Sequence, residues 1–303
     1  MLLNINSIQI DSIQINFDTE ALWMLNIALA IIMFGISLDI TVNDFKRLLR
    51  TPKIMFVGIL SQFILLPLFT FLLVSLIQPH PSFALGMMLI AACPGGNVSN
   101  FFSKMANGNA ALSISLTAFA TLICIVLTPL NLEIWGNLYP PTRNILKEVA
   151  LNPFELTKLV VLILGIPLFF GMLVNYYHKE MAKKISAVIR PFSVVFFLIL
   201  IVIALYDNAD VFKNYIHLVI FLVIIHNLLA YVLGYSTSKI FKLSTQDSRT
   251  IAIETGIQNG GLGLLLIFSF FDGLGGMALL AAFWGVWDIF SGMLLATYWG
   301  RKR

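Results

Sequence analysis

Charge is what this chain of 303 residues has least of, because only 11 % of its residues are charged. A soluble globular domain usually has about 25 % charged residues. In contrast, 59 % of the residues are hydrophobic and the mean hydropathy is +0.91. This composition excludes an ordinary soluble domain and predicts an all-α integral membrane protein. The net charge of +4 is small, and we expect no nucleic-acid partner.

Cysteine and histidine are also scarce, with 2 and 4 residues respectively. Cys93 and Cys124 both lie in apolar segments, so we expect neither a disulfide scaffold nor a zinc site. Residues 1–19 contain no Lys or Arg and therefore lack the basic region of a secretory signal peptide. We expect them to form an extracytoplasmic segment at the outer surface, either a short strand pair or an amphipathic stretch, and an interfacial or disordered tail is favoured over a functional gate.

Long apolar runs are abundant, and a helix of about 20 apolar residues can cross a bilayer. The sequence predicts nine such spans within a single transmembrane domain, 20–303. They lie near 20–40, 54–77, 83–104, 110–130, 155–177, 188–206, 214–238, 249–271 and 276–299.

Basic residues alternate between the connections of these spans. Of the 19 Lys and Arg residues, 15 fall on every second connection or at the C-terminus. The positive-inside rule then predicts an outer N-terminus and a cytoplasmic C-terminus in a plasma membrane or inner membrane. Nine is an odd number, as this arrangement requires.

Two of the apolar runs are interrupted by polar and glycine-rich sequence. The first break is Cys93-Pro94-Gly95-Gly96-Asn97, and the second follows Glu254 as Thr255-Gly256-Ile257-Gln258-Asn259-Gly260-Gly261. Irregular backbone is tolerated at membrane depth only where it faces protein or a watery cavity. The breaks lie in the third span of the first four and of the last four spans, which predicts inverted repeats with a transporter binding site between them.

Glu254 is the strongest single candidate for a functional residue, because burying an acid at membrane depth costs about 2.5–3.5 kcal/mol and such an acid usually marks an ion or proton pathway. Gln258 and Asn259 add carbonyl oxygens beside it. Ser99 and Asn100 follow the first break, and Ser113 and Thr117 lie four residues apart on one helix face. These oxygens favour a cation site, although Glu254 could also be a protonated acid bonded to a neighbouring helix.

Two further polar residues have open interpretations. Gln62 in the second span is either an ion ligand or an interhelical hydrogen-bonding residue. Asp288 in the last span could line a substrate cavity, carry a proton, or pair with Lys or His elsewhere.

The motifs together resemble the bile acid:sodium symporter family, particularly its bacterial members. The resemblance rests on Cys93-Pro94-Gly95-Gly96 with Ser99-Asn100, and on Glu254-x-Gly256-x-Gln258-Asn259. Weaker matches run from Met33-Phe34-Gly35 to the last span, so the resemblance covers nearly the whole chain. It departs at Asp288, where related bacterial proteins carry a neutral or titratable polar residue such as His.

The resemblance implies two broken helices that cross in a core of spans 2–4 and 7–9, facing a panel of spans 1, 5 and 6. It also implies two bound Na⁺ ions. The first ion site would use Ser99, Asn100, Ser113, Thr117 and Glu254. The second would use Gln62, Glu254, Thr255, Ile257 and Gln258. An organic anion would bind near Asn97 and Asn259, with Asp288 close by.

We therefore expect a monomeric sodium-coupled symporter of an organic anion, bile acid-like or smaller, that works by alternating access. The main alternative is a proton-coupled transporter that uses Glu254 and Asp288. An intramembrane enzyme is disfavoured because neither acid has a nucleophile or metal motif beside it. A passive channel is a further alternative, and conductance that does not saturate would identify it.

Overall fold

The structure, a computed structural model, describes residues 30–149, 152–189 and 209–301, together with residues 27, 192 and 195. Within these ranges the chain is helical and contains no β-strand. The predicted segment 1–19, most of the predicted sixth span and part of the first lie outside the described residues.

Eleven named helices account for most of the described chain. In order they are α1 (Val42–Arg50), α2 (Pro52–Ile77), α3 (Pro81–Ala92), α4 (Val98–Met105), α5 (Ala110–Leu138), α6 (Pro140–Glu148), α7 (Pro153–Val160 continuing through Ile166–Tyr177), α8 (Ala209–Ile240), α9 (Thr245–Gly256), α10 (Gly260–Phe270) and α11 (Gly275–Arg301). Residues 30–37 and 179–189 are also helical.

Five of these helices, α2, α5, α7, α8 and α11, are long and apolar enough to cross a membrane. α3 and α10 are apolar but shorter. These helices confirm the class of an all-helical, multi-pass membrane protein. The count of nine spans and the inverted relation of the two halves stay predictions.

The fourth predicted span differs from the structure at its end. α5 continues to Leu138, although Pro129 lies inside it and the sequence predicts an end near 130. Apolar residues such as Leu132 and Trp135 extend the buried face beyond the proline. The predicted long connection at 131–154 consequently contains the last turns of α5 and the helix α6.

α2 and α7 each contain one π-helical stretch, at Leu60–Leu65 and Val161–Gly165. Each stretch is followed by a proline, Pro67 and Pro167. A proline inside a helix has no N–H for the carbonyl four residues earlier and crowds it, and a wider turn relieves that contact. In α2 this carbonyl belongs to Phe63, and Asn131 Nδ2 of α5 donates to it at 3.1 Å.

The two breaks meet at the centre of the molecule. Gly96 N donates to the Ile257 carbonyl at 2.9 Å, and Asn259 N donates to the Pro94 carbonyl at 2.8 Å. This antiparallel pairing satisfies backbone groups that the broken helices release, as a low-dielectric interior requires. α3 leads to the first break and is buried from Ser82 to Ala92.

Residues 30–40 pack closely against α7. Ser37 Oγ donates to the Pro167 carbonyl at 2.8 Å. A Cβ atom added at Gly171 would lie 1.8 Å from Ser37 Oγ, so only glycine permits this approach. Two residues before Ser37, a Cβ atom added at Gly35 would lie 2.2 Å from Ile189 Cγ2.

Candidate ion and substrate site

The carboxylate of Glu254 is the centre of the site. Glu254 lies in the last turn of α9, two residues before its end, and is 2 % exposed. Its Oε1 accepts a hydrogen bond from Ser99 Oγ at 2.5 Å and another from Ser113 Oγ. Its Oε2 accepts one from Thr117 Oγ1 at 2.9 Å. The structure therefore brings α4, α5 and α9 together around one carboxylate.

More oxygen atoms surround Thr117 than its single proton can serve. Thr117 Oγ1 lies 2.9 Å from Glu254 Oε2, 3.3 Å from Asn100 Oδ1 and 3.5 Å from Ser99 Oγ. A hydroxyl has one proton to donate and two lone pairs. The first predicted set of ligands thus forms one group in which oxygen atoms outnumber the protons between them.

The second predicted set gathers on the other side of α9. Gln62 Nε2 donates to the Glu254 carbonyl at 3.2 Å, and Gln258 Nε2 donates to the Thr255 carbonyl at 2.7 Å. Gln258 is 3 % exposed, and its buried Oε1 has no hydrogen-bond partner among the described residues. An unpaired buried acceptor is costly, so this oxygen points to a missing positive or donating group.

Glycine at the first break allows the backbone to approach these side chains. A Cβ atom at Gly95 would lie 2.8 Å from Gln62 Nε2 and 3.0 Å from Glu254 Oε2. At Gly96 it would lie 2.8 Å from the Gln258 carbonyl oxygen. The Gly-Gly pair therefore reflects a close contact as well as a broken helix.

A cavity of 640 Å³ opens beside the breaks. This volume is within the range of about 300–1,000 Å³ that is typical of small-molecule sites. Residues 30–40, α7 and Ile189 supply a part of its lining that is apolar except for Asp39, and both breaks supply a polar part. No Lys or Arg occurs among its described lining residues.

The predicted substrate residues all line this cavity, but in different ways. Asn97 precedes the first turn of α4 and makes no side-chain cap. Asn259 Oδ1 caps α10 by accepting the Leu262 N–H at 3.0 Å. Asp288 is only 4 % exposed, and its oxygens accept hydrogen bonds from Gln258 N at 3.0 Å and Asn227 Nδ2 at 3.2 Å.

Comparison with known families shows which proteins the chain is similar to. Residues 26–215 match the model of the Sodium Bile acid symporter family. The chain belongs to this family. The matched range contains the first break with Ser99, Ser113 and Thr117, and it ends before Glu254.

Individual family members extend the similarity. The chain is 33 % identical to an uncharacterized sodium-dependent transporter of Bacillus subtilis, YocS, over 92 % of this chain and 83 % of the relative. It is 31 % identical to a probable chloroplastic sodium/metabolite cotransporter of Arabidopsis thaliana, BASS1, over 79 % of this chain but 58 % of the relative. The mouse ileal sodium/bile acid cotransporter is 29 % identical, over 78 % of this chain and 66 % of the relative.

Three residues of this family member take part in the site although the sequence did not single them out for it. Ser61 Oγ lies 2.9 Å from Thr255 Oγ1, and Asn227 bridges the second break to Asp288. Asp39 lines the cavity and accepts a hydrogen bond from Ser186 Oγ at 2.6 Å. An acid at the end of the first span was the only sequence signal for Asp39, whereas the other two depend on long-range packing.

Proposed function

We propose that this chain is a sodium-coupled symporter of an organic anion, with two Na⁺ ions bound at the crossing of its broken helices. The observation that carries the proposal is the oxygen-rich group around the buried Glu254 carboxylate. In the described part of the chain, no Lys or Arg forms a salt bridge with it.

The first ion would bind among Ser99, Asn100, Ser113, Thr117 and Glu254. Hard cations take carboxylate, hydroxyl and carbonyl oxygens as ligands. The excess of oxygen atoms over protons around Thr117 is what a cation would resolve, because it accepts lone pairs from several oxygens at once. One full negative charge and four neutral oxygens suit a monovalent ion.

The second ion would bind on the Gln62 side of α9. The unpartnered Gln258 Oε1 is one available ligand. The carbonyls of Thr255 and Ile257 each accept one hydrogen bond, from Gln258 Nε2 and Gly96 N, which leaves each a second lone pair. Unwound backbone carbonyls commonly coordinate Na⁺ in transporters with broken helices.

The substrate would bind in the 640 Å³ cavity. α4 and α10 begin at Asn97 and Asn259, both in the lining, and the N-terminus of a helix attracts anions through its free N–H groups and its dipole. The rest of the lining is largely apolar. An amphipathic organic anion, bile acid-like or a smaller carboxylate, fits this combination. The mouse relative is named as a bile acid cotransporter and the Arabidopsis relative as a probable metabolite cotransporter.

Transport would occur by alternating access, with spans 2–4 and 7–9 moving as a core against a panel of spans 1, 5 and 6. The cavity lining supports this division, since residues 30–40 and α7 face the two breaks across it. We further propose a monomer with an outer N-terminus and a cytoplasmic C-terminus, following the distribution of basic residues.

Uptake into proteoliposomes tests the proposal. Radiolabelled cholate and radiolabelled lactate represent the two size classes of anion, and each is offered with an inward Na⁺ gradient, an equal K⁺ gradient, or an inward proton gradient. We expect accumulation of at least one probe with the Na⁺ gradient alone. Uptake driven by the proton gradient without Na⁺ would select proton coupling through Glu254 and Asp288. Stabilisation of the purified protein against heat by NaCl but not by KCl would identify Na⁺ binding independently of the substrate.

A further inference from the structure

The second break is held open by a carboxylate from another helix, the side chain of Asp288 in α11. Its Oδ2 accepts the backbone N–H of Gln258 at 3.0 Å. In an uninterrupted helix this N–H would donate to the carbonyl of Glu254, four residues earlier. Because Asp288 takes this donor, the Glu254 carbonyl is left to accept Gln62 Nε2 instead.

Asp288 is itself fixed in position by Asn227 of α8. Asn227 Nδ2 donates both to Asp288 Oδ1 at 3.2 Å and to the Gly256 carbonyl at 2.8 Å, where α9 ends. The amide oxygen of Asn227 accepts Trp287 Nε1 at 3.1 Å. The two ends of the Asn227 amide therefore have partners of opposite kind, and its orientation is set by the network.

We propose that Asp288 is a positioning residue for the second sodium site: it holds the backbone N–H of Gln258 out of the α9 helix, so that the Glu254 carbonyl holds Gln62 in place and the Gln258 carboxamide remains available to the ion. This inference rests on the proposed function. Asp288 and Gln258 also line the cavity, so the hydrogen bond between them directly joins the substrate cavity to the ion site.

The same hydrogen bonds explain why an acidic residue, Asp288, lies beside a binding site that is proposed for an anion. In their ionised forms, Glu254 and Asp288 would bring two negative charges to the crossing, and two Na⁺ ions would neutralise both. An anion would then enter a cavity in which the N-termini of α4 and α10 attract it, while the acid Asp39, in the part of the lining formed by residues 30–40, accepts a hydrogen bond from Ser186 Oγ. Without the ions, the carboxylate of Asp288 would oppose anion binding, so its charge makes the substrate depend on Na⁺.

The test uses the purified full-length chain in detergent and needs no substrate. Thermal unfolding is measured while NaCl replaces KCl at constant ionic strength, for the wild type, Asp288→Ala and Asp288→Asn. Asp288→Ala removes a charged hydrogen-bond acceptor, so we expect the half-saturating Na⁺ concentration to rise about tenfold or more. The steepness of the titration should fall as one of two ions is lost. Asp288→Asn keeps one acceptor oxygen, so its half-saturating Na⁺ concentration should lie between those of the wild type and Asp288→Ala.

Ser291→Ala is the matched control. Ser291 Oγ lies 3.1 Å from Tyr231 OH, so it also joins α11 to α8, and its contact with Asp288 is to the backbone carbonyl, at 3.5 Å, rather than to the carboxylate. We expect its Na⁺ titration to match that of the wild type. A wild-type titration in either Asp288 variant would overturn this inference alone. A wild type that responds equally to Na⁺ and K⁺ would instead overturn the proposed function.

Discussion

The two breaks release equivalent backbone groups but satisfy them with different chemistry. At the first break, Gly96 N donates to the Ile257 carbonyl, and the Ala92 carbonyl accepts Thr128 Oγ1 at 2.6 Å. At the second, Gln258 N donates to the Asp288 carboxylate and the Glu254 carbonyl accepts Gln62 Nε2. The first break is therefore fixed by backbone and one hydroxyl, whereas charged and amide side chains fix the second.

The difference separates two tasks. Pro94 and the following glycines break the first helix by their own conformational preferences. Proline lacks the N–H that a helical hydrogen bond needs, and glycine loses more conformational entropy in a helix than other residues do. The second break contains no proline and depends on partners from α2, α8 and α11. We infer that the first break is a fixed structural element and that the conformation of the second depends on bound ions. Four experiments can contradict this division of tasks.

The largest effect should follow Glu254→Gln. This change keeps the side-chain volume but removes the buried negative charge that would face the ions, and a neutral amide offers a cation far weaker electrostatic attraction. We expect the Na⁺-dependent rise in the thermal unfolding midpoint to disappear. Glu133→Gln is the control, since Glu133 is an exposed acid on α5. A normal Na⁺ response in Glu254→Gln would remove the central argument for the ion site.

Gly96→Ala should have the next largest effect. The added Cβ would lie 2.8 Å from the Gln258 carbonyl oxygen, a backbone atom that cannot rotate away. Overpacking of this kind costs about 1–3 kcal/mol, and we expect Na⁺-driven uptake to fall about ten- to 100-fold. At Gly260 the nearest atom would be 3.4 Å away, so Gly260→Ala should retain most of the uptake. Equal losses of uptake in both variants would contradict a close backbone contact that is specific to the first break.

A smaller effect should distinguish two buried serines of α5. Ser113 Oγ donates to Glu254, whereas Ser115 Oγ donates back to the Ala111 carbonyl of its own helix. A hydrogen bond to a charged group contributes about 1.5–3 kcal/mol, so Ser113→Ala should raise the half-saturating Na⁺ concentration about tenfold. Ser115→Ala should leave it unchanged. Equal titrations for the two variants would show that Ser113 is not a ligand.

The smallest effect on ion binding should follow Thr128→Val, which tests the first break as a purely structural feature. It leaves the Ala92 carbonyl without its donor, at a cost of about 1–3 kcal/mol. The unfolding midpoint should fall by a few degrees in Na⁺ and in K⁺ alike. Thr121→Val should cost less, because Thr121 Oγ1 bonds to the Thr117 carbonyl of the same helix. A changed Na⁺ titration in Thr128→Val would contradict the division of tasks.

Local sequence was enough to predict both breaks and the helical membrane class. Pro94-Gly95-Gly96 and the acid Glu254 are unfavourable in an ordinary lipid-facing helix, so their presence alone indicates irregular, protein-facing backbone. The four-residue spacing of Ser113 and Thr117 also placed both hydroxyls on one face. The structure brings these two hydroxyls to Glu254.

Contacts between distant segments could not be predicted in the same way. Nothing near Asn227 indicates that its amide reaches the end of α9, and nothing near Asp288 indicates that its partner is a backbone N–H. The predicted fourth span ends near 130, where about 20 apolar residues suffice to cross a bilayer, whereas α5 continues past Pro129 to Leu138 because its packing continues. Each of these outcomes depends on which helices become neighbours.

The π-helical stretch in α2 has a consequence for how such a chain can be altered. A turn bonded to the fifth residue holds one residue more than an α-turn, so it shifts the helix that follows by about 100°. Ser61 and Gln62 lie within that turn and contact Thr255 and Glu254. Deleting one residue from Leu60–Leu65 would keep the span hydrophobic and nearly as long, yet it would rotate one end of α2 relative to the other. The hydropathy of the span would hardly change after such a deletion, although the deletion would move the Gln62 amide away from the Glu254 carbonyl.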